Sequence, residues 1–481
     1  MFINREAELQ ELAELADRSE PALALVYGRR RVGKTYLLDR AWTGRRVLYY
    51  LAADSTAAVN QRELLQSAER LAGRAVDPAD YPTWRSVLRF VLLELGAGEP
   101  LIVVLDEFQY LLGGEDDIAS QLVAVWDREV SGRRILLVLC GSEVGTMERL
   151  QAGDSPLYGR INWSARIGPF DYFDAGRMVE QGRGVRERAY VYGVLGGTPR
   201  FLSVVRPGAE LGAVVRDAVL SPRGEVHLQL ATLIQQEKGI REPREYQAVL
   251  SAVATGRTET NEIATAAGLQ ERPHVVRRAL DVLESLGLVR RERNFDASER
   301  TPWRFRLADN AVRFWYRFVH PHRSRLERGG VDSVWRAEVA PRLDDYMGRY
   351  VFEPMAADAY GRHHAKWGLP PAALWARWEG RDRNRQSIEL DIVAEMEDGR
   401  ILTGEVKWSS QPVDTEVHYR LQRDLEALAH SGHGWARDAV HANRSAGHIY
   451  ISAAGFTDHF RERAHREPHI RLIDLDVLYA V

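Results

Sequence analysis

Gly28-Arg29-Arg30-Arg31-Val32-Gly33-Lys34-Thr35 is the stretch that decides the fold. Its spacing is G-x-x-x-x-G-K-[ST], and its flanks suit it. The apolar run Ala22–Tyr27 before it reads as a buried strand, and Thr35-Tyr36-Leu37-Leu38-Asp39 after it reads as a helix start. Two glycines permit a tight turn whose backbone N–H groups point at phosphate oxygens. The new helix adds the positive end of its dipole. The pattern predicts that Gly28, Val32, Gly33, Lys34, Thr35 and Tyr36 bind ATP. Lys34 is expected to reach the β- and γ-phosphates, and the Thr35 hydroxyl to hold Mg²⁺.

Outward from this loop, four apolar runs follow the pattern of an α/β sheet: 22–27, 47–51, 101–105 and 135–140. Amphipathic stretches such as 118–130 separate them, which argues for a parallel sheet covered on both faces. Ligands of such sheets sit at the carboxyl ends of the strands. The third run ends in Asp106-Glu107, an apolar strand delivering an acidic pair, which is the Walker B arrangement. Asp106 is expected to bind Mg²⁺, directly or through water. Glu107 is expected to orient and deprotonate the attacking water. The fourth run ends in Gly141-Ser142, whose hydroxyl would contact the γ-phosphate or the lytic water, or else serve as a small turn residue.

At 481 residues the chain has room for three or four domains. No apolar run approaches the roughly 18 residues a membrane span needs, and no signal-peptide pattern opens the sequence. The single cysteine, Cys140, lies in an apolar run, so a disulfide framework is excluded. The expected compartment is the cytoplasm, with no membrane partner. Net charge is −3, so any nucleic-acid contact must come from a local patch.

Three shorter stretches carry a resemblance. Phe2-Ile-Asn-Arg-Glu-Ala-Glu-Leu resembles the adenine-side box of archaeal-type ATPases in the STAND/AAA+ group, and Pro156-Leu-Tyr-Gly-Arg160 and Gly196-Gly-Thr-Pro-Arg200 resemble further motifs of that family. The resemblance implies that Arg160 is a sensor or finger arginine. It implies that Gly197 and Pro199 close over the adenine, and that Ser142 stands at the sensor-1 position.

Residues 172–238 are mostly helical in pattern and are expected to form a lid. Helical patterns over 246–255, 258–268 and 272–286 lead into an extended 287–293 and a paired strand at 303–307. Helix–turn–helix followed by a hairpin is a winged helix-turn-helix. Residues 271–328 hold fourteen arginines against eight acids, so a basic face is expected there. That face would bind DNA phosphates, or the module would pack as a conformational lid. The aromatic run from Asp309 to Val319 reads as packing rather than as a base-stacking platform.

From about residue 346 the pattern is helix, strand, hairpin, helix, strand, helix and a last strand over 470–478. The hairpin carries Asp391, Glu405 and Lys407 around Glu397-Asp398-Gly399. Glu405 and Lys407 share a face. A three-residue loop at 397–399 would pair Met396 with Arg400 and set Asp391 opposite Glu405; a two-residue loop would put Asp391 on the wrong face. Two converging carboxylates suit a hard cation, and a neighbouring lysine suits developing charge at phosphorus. This hairpin resembles the core of the PD-(D/E)xK nuclease superfamily. The resemblance implies that Asp391 and Glu405 hold Mg²⁺ or Mn²⁺, that Lys407 is catalytic, and that Glu353 is an extra acid, with Glu389 its rival.

The expected fold is therefore α/β: a P-loop NTPase core with a parallel sheet over 1–171, a helical lid over 172–238, a winged helix and linker over 239–330, and a C-terminal α/β restriction-endonuclease-like domain over 331–481. The expected function is ATP binding and hydrolysis coupled to Mg²⁺-dependent DNA binding and cleavage. The alternative is a non-cleaving, STAND-like, ATP-driven switch that binds DNA or protein. ATP and DNA are the expected partners, and self-association into a homo-oligomer is left open.

Overall fold

Six consecutive buried residues, Ala22–Tyr27, make β1, and burial along its whole length is what a strand covered on both faces requires. The structure, a computed structural model, describes residues 3–112, 118–237 and 240–480. The chain divides into two units, Met1–Pro169 with Glu237–Arg241, and Phe170–Gln236 with Glu242–Val481. Finer boundaries at 172, 239 and 331 we propose as subdivisions.

In the first unit β1 joins β2 (Val47–Leu51), β3 (Leu101–Asp106), β4 (Ile135–Gly141) and β5 (Trp163–Arg166). All neighbours are parallel and the order is β2-β3-β4-β1-β5. The edge strand β5 escapes the sequence pattern because only four residues form it and none is fully buried. Ala24, Val26, Val104 and Val138 on the sheet pack with Leu12, Val32, Leu37 and Leu38. Helix α1 (Lys34–Ala41) starts at the carboxyl end of β1, with Gly33 as its N-cap in the left-handed region at φ +99°. Phe2 lies outside the described residues.

In the second unit, helices α2 (Pro243–Ala254), α3 (Thr260–Ala266) and α4 (Pro273–Ser285) precede two antiparallel strands, β6 (Val289–Glu292) and β7 (Arg304–Leu307). Val276, Ala279, Leu280 and Leu283 form the buried stripe of α4. Phe314, Trp315 and Phe318 of the aromatic run are buried, so they pack rather than present a platform.

Helix α5 (Phe352–His363) then leads into β8 (Ala372–Arg381), β9 (Ser387–Met396), β10 (Ile401–Lys407), α6 (Glu416–His430), β11 (Ser445–Ser452) and β12 (Ile470–Asp474). The sheet order is β12-β11-β10-β9-β8, antiparallel from β8 to β10 and parallel from β10 to β12. Leu421, Leu425 and Leu428 of α6 pack on Leu390, Val393 and Tyr450. The extended run foreseen over 470–478 is corrected. The Asp474 side chain accepts from Val477 N, caps a helix over Leu475–Leu478 and so ends the strand.

Candidate functional site

The phosphate loop is shaped by two glycines with different reasons. A Cβ on Gly28 would sit 2.0 Å from the Ile167 carbonyl oxygen, so the chain passes too close for any side chain. Gly33 has open space around it but needs its positive φ. Val32 is buried in the core, which anchors the loop from below. Lys34 is 6% exposed, and its ammonium donates to Gly28 O at 2.8 Å and to Arg29 O at 3.2 Å. Tyr36 is half exposed, with the Arg40 guanidinium over its ring.

Sheet order places the other candidates. β4 stands between β1 and β3, so Asp106, Glu107 and Ser142 emerge at the same sheet edge as the loop. Thr35 Oγ1 donates to Asp106 Oδ2 at 3.2 Å, and Asp106 Oδ1 accepts from Glu107 N at 2.9 Å. Glu107 is in the left-handed region at φ +54°, a strained conformation for this residue. Ser142 Oγ donates to Glu107 Oε2 at 2.6 Å.

Arg160 is fastened elsewhere. Its Nε and Nη2 bond Asp127, the shortest contact being 2.6 Å, and its Nη1 bonds Pro156 O and Tyr158 O. Pro199 belongs to the second unit, where it opens the short helix Pro199–Leu202. Gly197 is required there because a Cβ would meet Phe170 O at 1.7 Å.

A second group lies on the β9–β10 hairpin. Ile401 faces Glu395, Gly404 faces Ile392, and Met396 N bonds Arg400 O. The connecting loop is thus the three residues 397–399, with Gly399 at φ +78°. Continued one step beyond Gly404 and Ile392, the same register sets Glu405 opposite Asp391, and both carboxylates meet Lys407. Lys407 Nζ lies 2.8 Å from Asp391 and 2.5 Å from Glu405. Arg420 reaches Glu405 from α6 at 2.9 Å, and Val406 N donates to Asp391. Glu405 is 2% exposed, and burial, with the Asp391 charge second, pushes its carboxyl up to about 7. Burial and then Asp391 likewise push Glu353 up to about 7. Burial opposes the Lys407 charge, but Glu405 and Asp391 outweigh it and raise the ammonium. Glu389 is held instead by Arg377.

Residues 2–205 match the model of a family described as an ATPase domain predominantly from Archaea. That match and the geometry of the phosphate loop support an archaeal-type P-loop ATPase in this part of the chain. Residues 315–418 of the chain match a second family, described as archaeal and bacterial proteins of unknown function. The chain is similar to the uncharacterized protein MJECL04 of Methanocaldococcus jannaschii, 25% identical over 88% of this chain and 91% of that one. It is also similar in fold to the Walker-type ATPase PABY2304 of Pyrococcus abyssi. There the TM-score is 0.50 at 22% identity over 66% of this chain and 96% of that one. The ORC2 protein of Aeropyrum pernix, in ADPNP–ADP complexes, aligns at TM-score 0.44 and 18% identity, covering 69% and 94%.

The ATPase domain contains two site residues that the sequence pattern did not single out. The Tyr49 hydroxyl on β2 donates to Asp106 Oδ2, a contact also felt in the tyrosine, whose ionisation is raised by burial and by the Asp106 charge. Gln109 Nε2 donates to Glu107 and to Ser142. The donor set of the ATPase domain fits Mg²⁺: the Thr35 hydroxyl and an Asp106 carboxylate, both hard oxygens, converge beneath the phosphate loop. The hairpin fits a divalent cation on a different observation. Glu405 Oε1 is buried and makes no hydrogen bond, which leaves an oxygen donor unspent. Among the described residues no group of three or more His, Cys, Asp or Glu is arranged around one metal position, so the hairpin supplies two carboxylates at most. No helix among the described residues is long and apolar enough to cross a membrane.

Proposed function

We propose that the chain binds and hydrolyses ATP with Mg²⁺ and uses its second unit to bind and cut DNA. The observation that carries the cleavage reading is the hairpin register, which brings Asp391, Glu405 and Lys407 together. When bound, Mg·ATP supplies a hydrolysable phosphoanhydride, and Mg²⁺ or Mn²⁺ at the hairpin supplies charge neutralisation at phosphorus. Gly28, Gly33 and the α1 N-terminus hold phosphate oxygens through backbone N–H groups, and Lys34 turns from its loop carbonyls to the β- and γ-phosphates. Thr35 Oγ1 and Asp106 are the Mg²⁺ ligands. Glu107 Oε2, held by Ser142 and Gln109, takes the proton of the attacking water. Arg160 acts as a sensor once released from Asp127. Asp391 and Glu405 are the hairpin cation ligands, with Glu353 the extra acid. Lys407 Nζ orients the water and stabilises charge at phosphorus. The three-helix-and-hairpin segment over 239–330 acts as a winged helix. Plasmid incubated with Mg²⁺ and either wild type or Asp391→Asn protein tests this reading: nicking by wild type alone supports it, and equal nicking by both refutes it.

A second reading is a non-cleaving, ATP-driven switch whose second unit only binds DNA or a protein. It is favoured by one observation: Lys407 and Arg420 already neutralise Glu405, and Lys407 neutralises Asp391.

A further inference from the structure

A cleft of about 800 Å³ opens within the second unit between the β6–β7 hairpin and strands β8 and β9. It is built by specific contacts. Asn294 Nδ2 donates to Glu379 O at 2.7 Å, Phe295 N to Arg377 O at 3.1 Å, and Trp378 Nε1 to Asp296 Oδ1 at 2.9 Å. These contacts fasten the loop between β6 and β7 onto the edge strand β8. Of the hairpin acids and lysine, Asp391 lines the cleft, together with Glu353 from α5.

The walls carry eight arginines and five carboxylates, and two of the arginines are paired outside the cleft, Arg291 with Asp281 and Glu284 and Arg349 with Asp345. Glu292 alone serves both Arg290 at 2.6 Å and Arg306 at 2.7 Å. Arg313, 4% exposed, finds neutral acceptors: Asn310 Oδ1, Tyr350 O and Leu307 O. Arg293 has a buried Nε without a hydrogen-bond partner, and its guanidinium lies 3.7 Å over the Trp303 ring. Buried charges are ordinarily paired, so this wall is prepared for anions. Trp303 keeps 39% of its surface exposed, so part of its ring is open to a stacking partner.

We infer that this cleft binds one unpaired nucleic-acid strand, with phosphates on Arg290, Arg293 and Arg306 and a base on the open side of Trp303. The inference deepens the DNA reading above by naming the form of the substrate, and rests on that reading only for what Asp391 then does to the strand. Size favours a single strand, because the volume is that of a small-ligand pocket, about 300–1,000 Å³. A duplex, with a major groove alone about 12 Å wide, needs a broad surface. Stacking favours it too. A duplex keeps its base faces inside the stack, whereas unpaired bases lie open to an aromatic side chain within a basic groove.

The test uses full-length protein carrying Asp391→Asn, which blocks cutting. A fluorescent oligothymidylate of about twelve nucleotides, within the site sizes of single-strand binders, is titrated by anisotropy against a duplex of equal length. The single strand is expected to bind more tightly. Adding Trp303→Ala is expected to weaken strand binding between about fivefold and a hundredfold, the usual range for one stacked base, with ATP binding unchanged. Adding Arg293→Gln is expected to make the dependence of log affinity on log salt shallower by about 0.7, the value of one lost phosphate contact on a single strand. Equal or tighter binding of the duplex, displacement of the strand by an equal phosphate concentration of thymidine monophosphate, or unchanged strand affinity in both added variants would overturn the inference. The two readings fail separately. Strand binding by a wild type that never cuts overturns cleavage alone, and cutting that persists with unaltered strand affinity in both Trp303→Ala and Arg293→Gln overturns the cleft alone.

Discussion

Lys407 Nζ lies 2.8 Å from Asp391 Oδ2, across the hairpin from strand to strand. That distance follows from loop length. Three residues at 397–399 set the register, and a slip by one would send Asp391 to the other face of the sheet. The glycine before Glu405 is part of the same arrangement, because a Cβ on Gly404 would sit 2.1 Å from Ile449 O on β11. Gly404→Ala is therefore expected to cost about 1–3 kcal/mol, the usual penalty of overpacking. Urea unfolding of the two proteins measures it, and an unchanged midpoint would contradict the close approach.

At the phosphate loop, Lys34→Ala removes the charge proposed to meet the phosphates and is expected to abolish ATP binding, as measured by a fluorescent ATP analogue. Glu107→Gln keeps the shape but removes the proposed base. Binding is expected to survive while turnover falls about 10²- to 10⁴-fold. Turnover at the wild-type rate would remove Glu107 from the role of base.

Tyr49→Phe deletes only the hydroxyl that bonds Asp106. Partners that orient a metal ligand are worth about 10- to 100-fold in metal affinity, so the Mg²⁺ concentration giving half-maximal hydrolysis is expected to rise by that order. An unchanged Mg²⁺ requirement would make the Tyr49 contact purely structural.

Much of this architecture is legible in the chain itself, for physical reasons. Strands buried on both faces appear as unbroken apolar runs, so β1 to β4 stand out, and the Glu397-Asp398-Gly399 turn marks the hairpin, although its register depends on a loop length that the structure supplies. What is hidden depends on strand order and distant partners. Tyr49 reads as one more core aromatic until β2 is seen beside β3. Arg160 reads as a free finger until its Asp127 partner appears 33 residues away. Asn294 bonds β8 from 85 residues away, so the cleft has no local signature. Gln109 had a local signal, a polar side chain two residues after Glu107, but amides are too common for it to stand out.

Acid should destabilise the second unit through two histidines. His448, bonded to Thr403, is pushed down to about 3 by burial and then by His418. His418, bonded to the Tyr450 hydroxyl, is pushed down to about 4 by burial and then by Arg463. Their folded values lie below the unfolded value of about 6.5. Between the two, the unfolded chain holds protons that the native one refuses, so stability is full above about pH 6.5 and falls as pH drops toward 4. Each group can contribute up to about 1.4 kcal/mol per pH unit in that window. His448→Gln is expected to flatten the loss of urea stability between neutral pH and pH about 5. An equally steep loss in the variant would refute this source.

Two separable chemistries in one chain form the central claim, and one measurement addresses both. ATP hydrolysis and plasmid nicking are followed in the same tubes for wild type, Lys34→Ala and Asp391→Asn proteins, purified identically, with Mg²⁺. The account predicts that Asp391→Asn hydrolyses ATP like wild type but leaves the plasmid supercoiled, while Lys34→Ala loses hydrolysis. Nicking by Asp391→Asn at the wild-type rate, or ATP hydrolysis by Lys34→Ala, would contradict it.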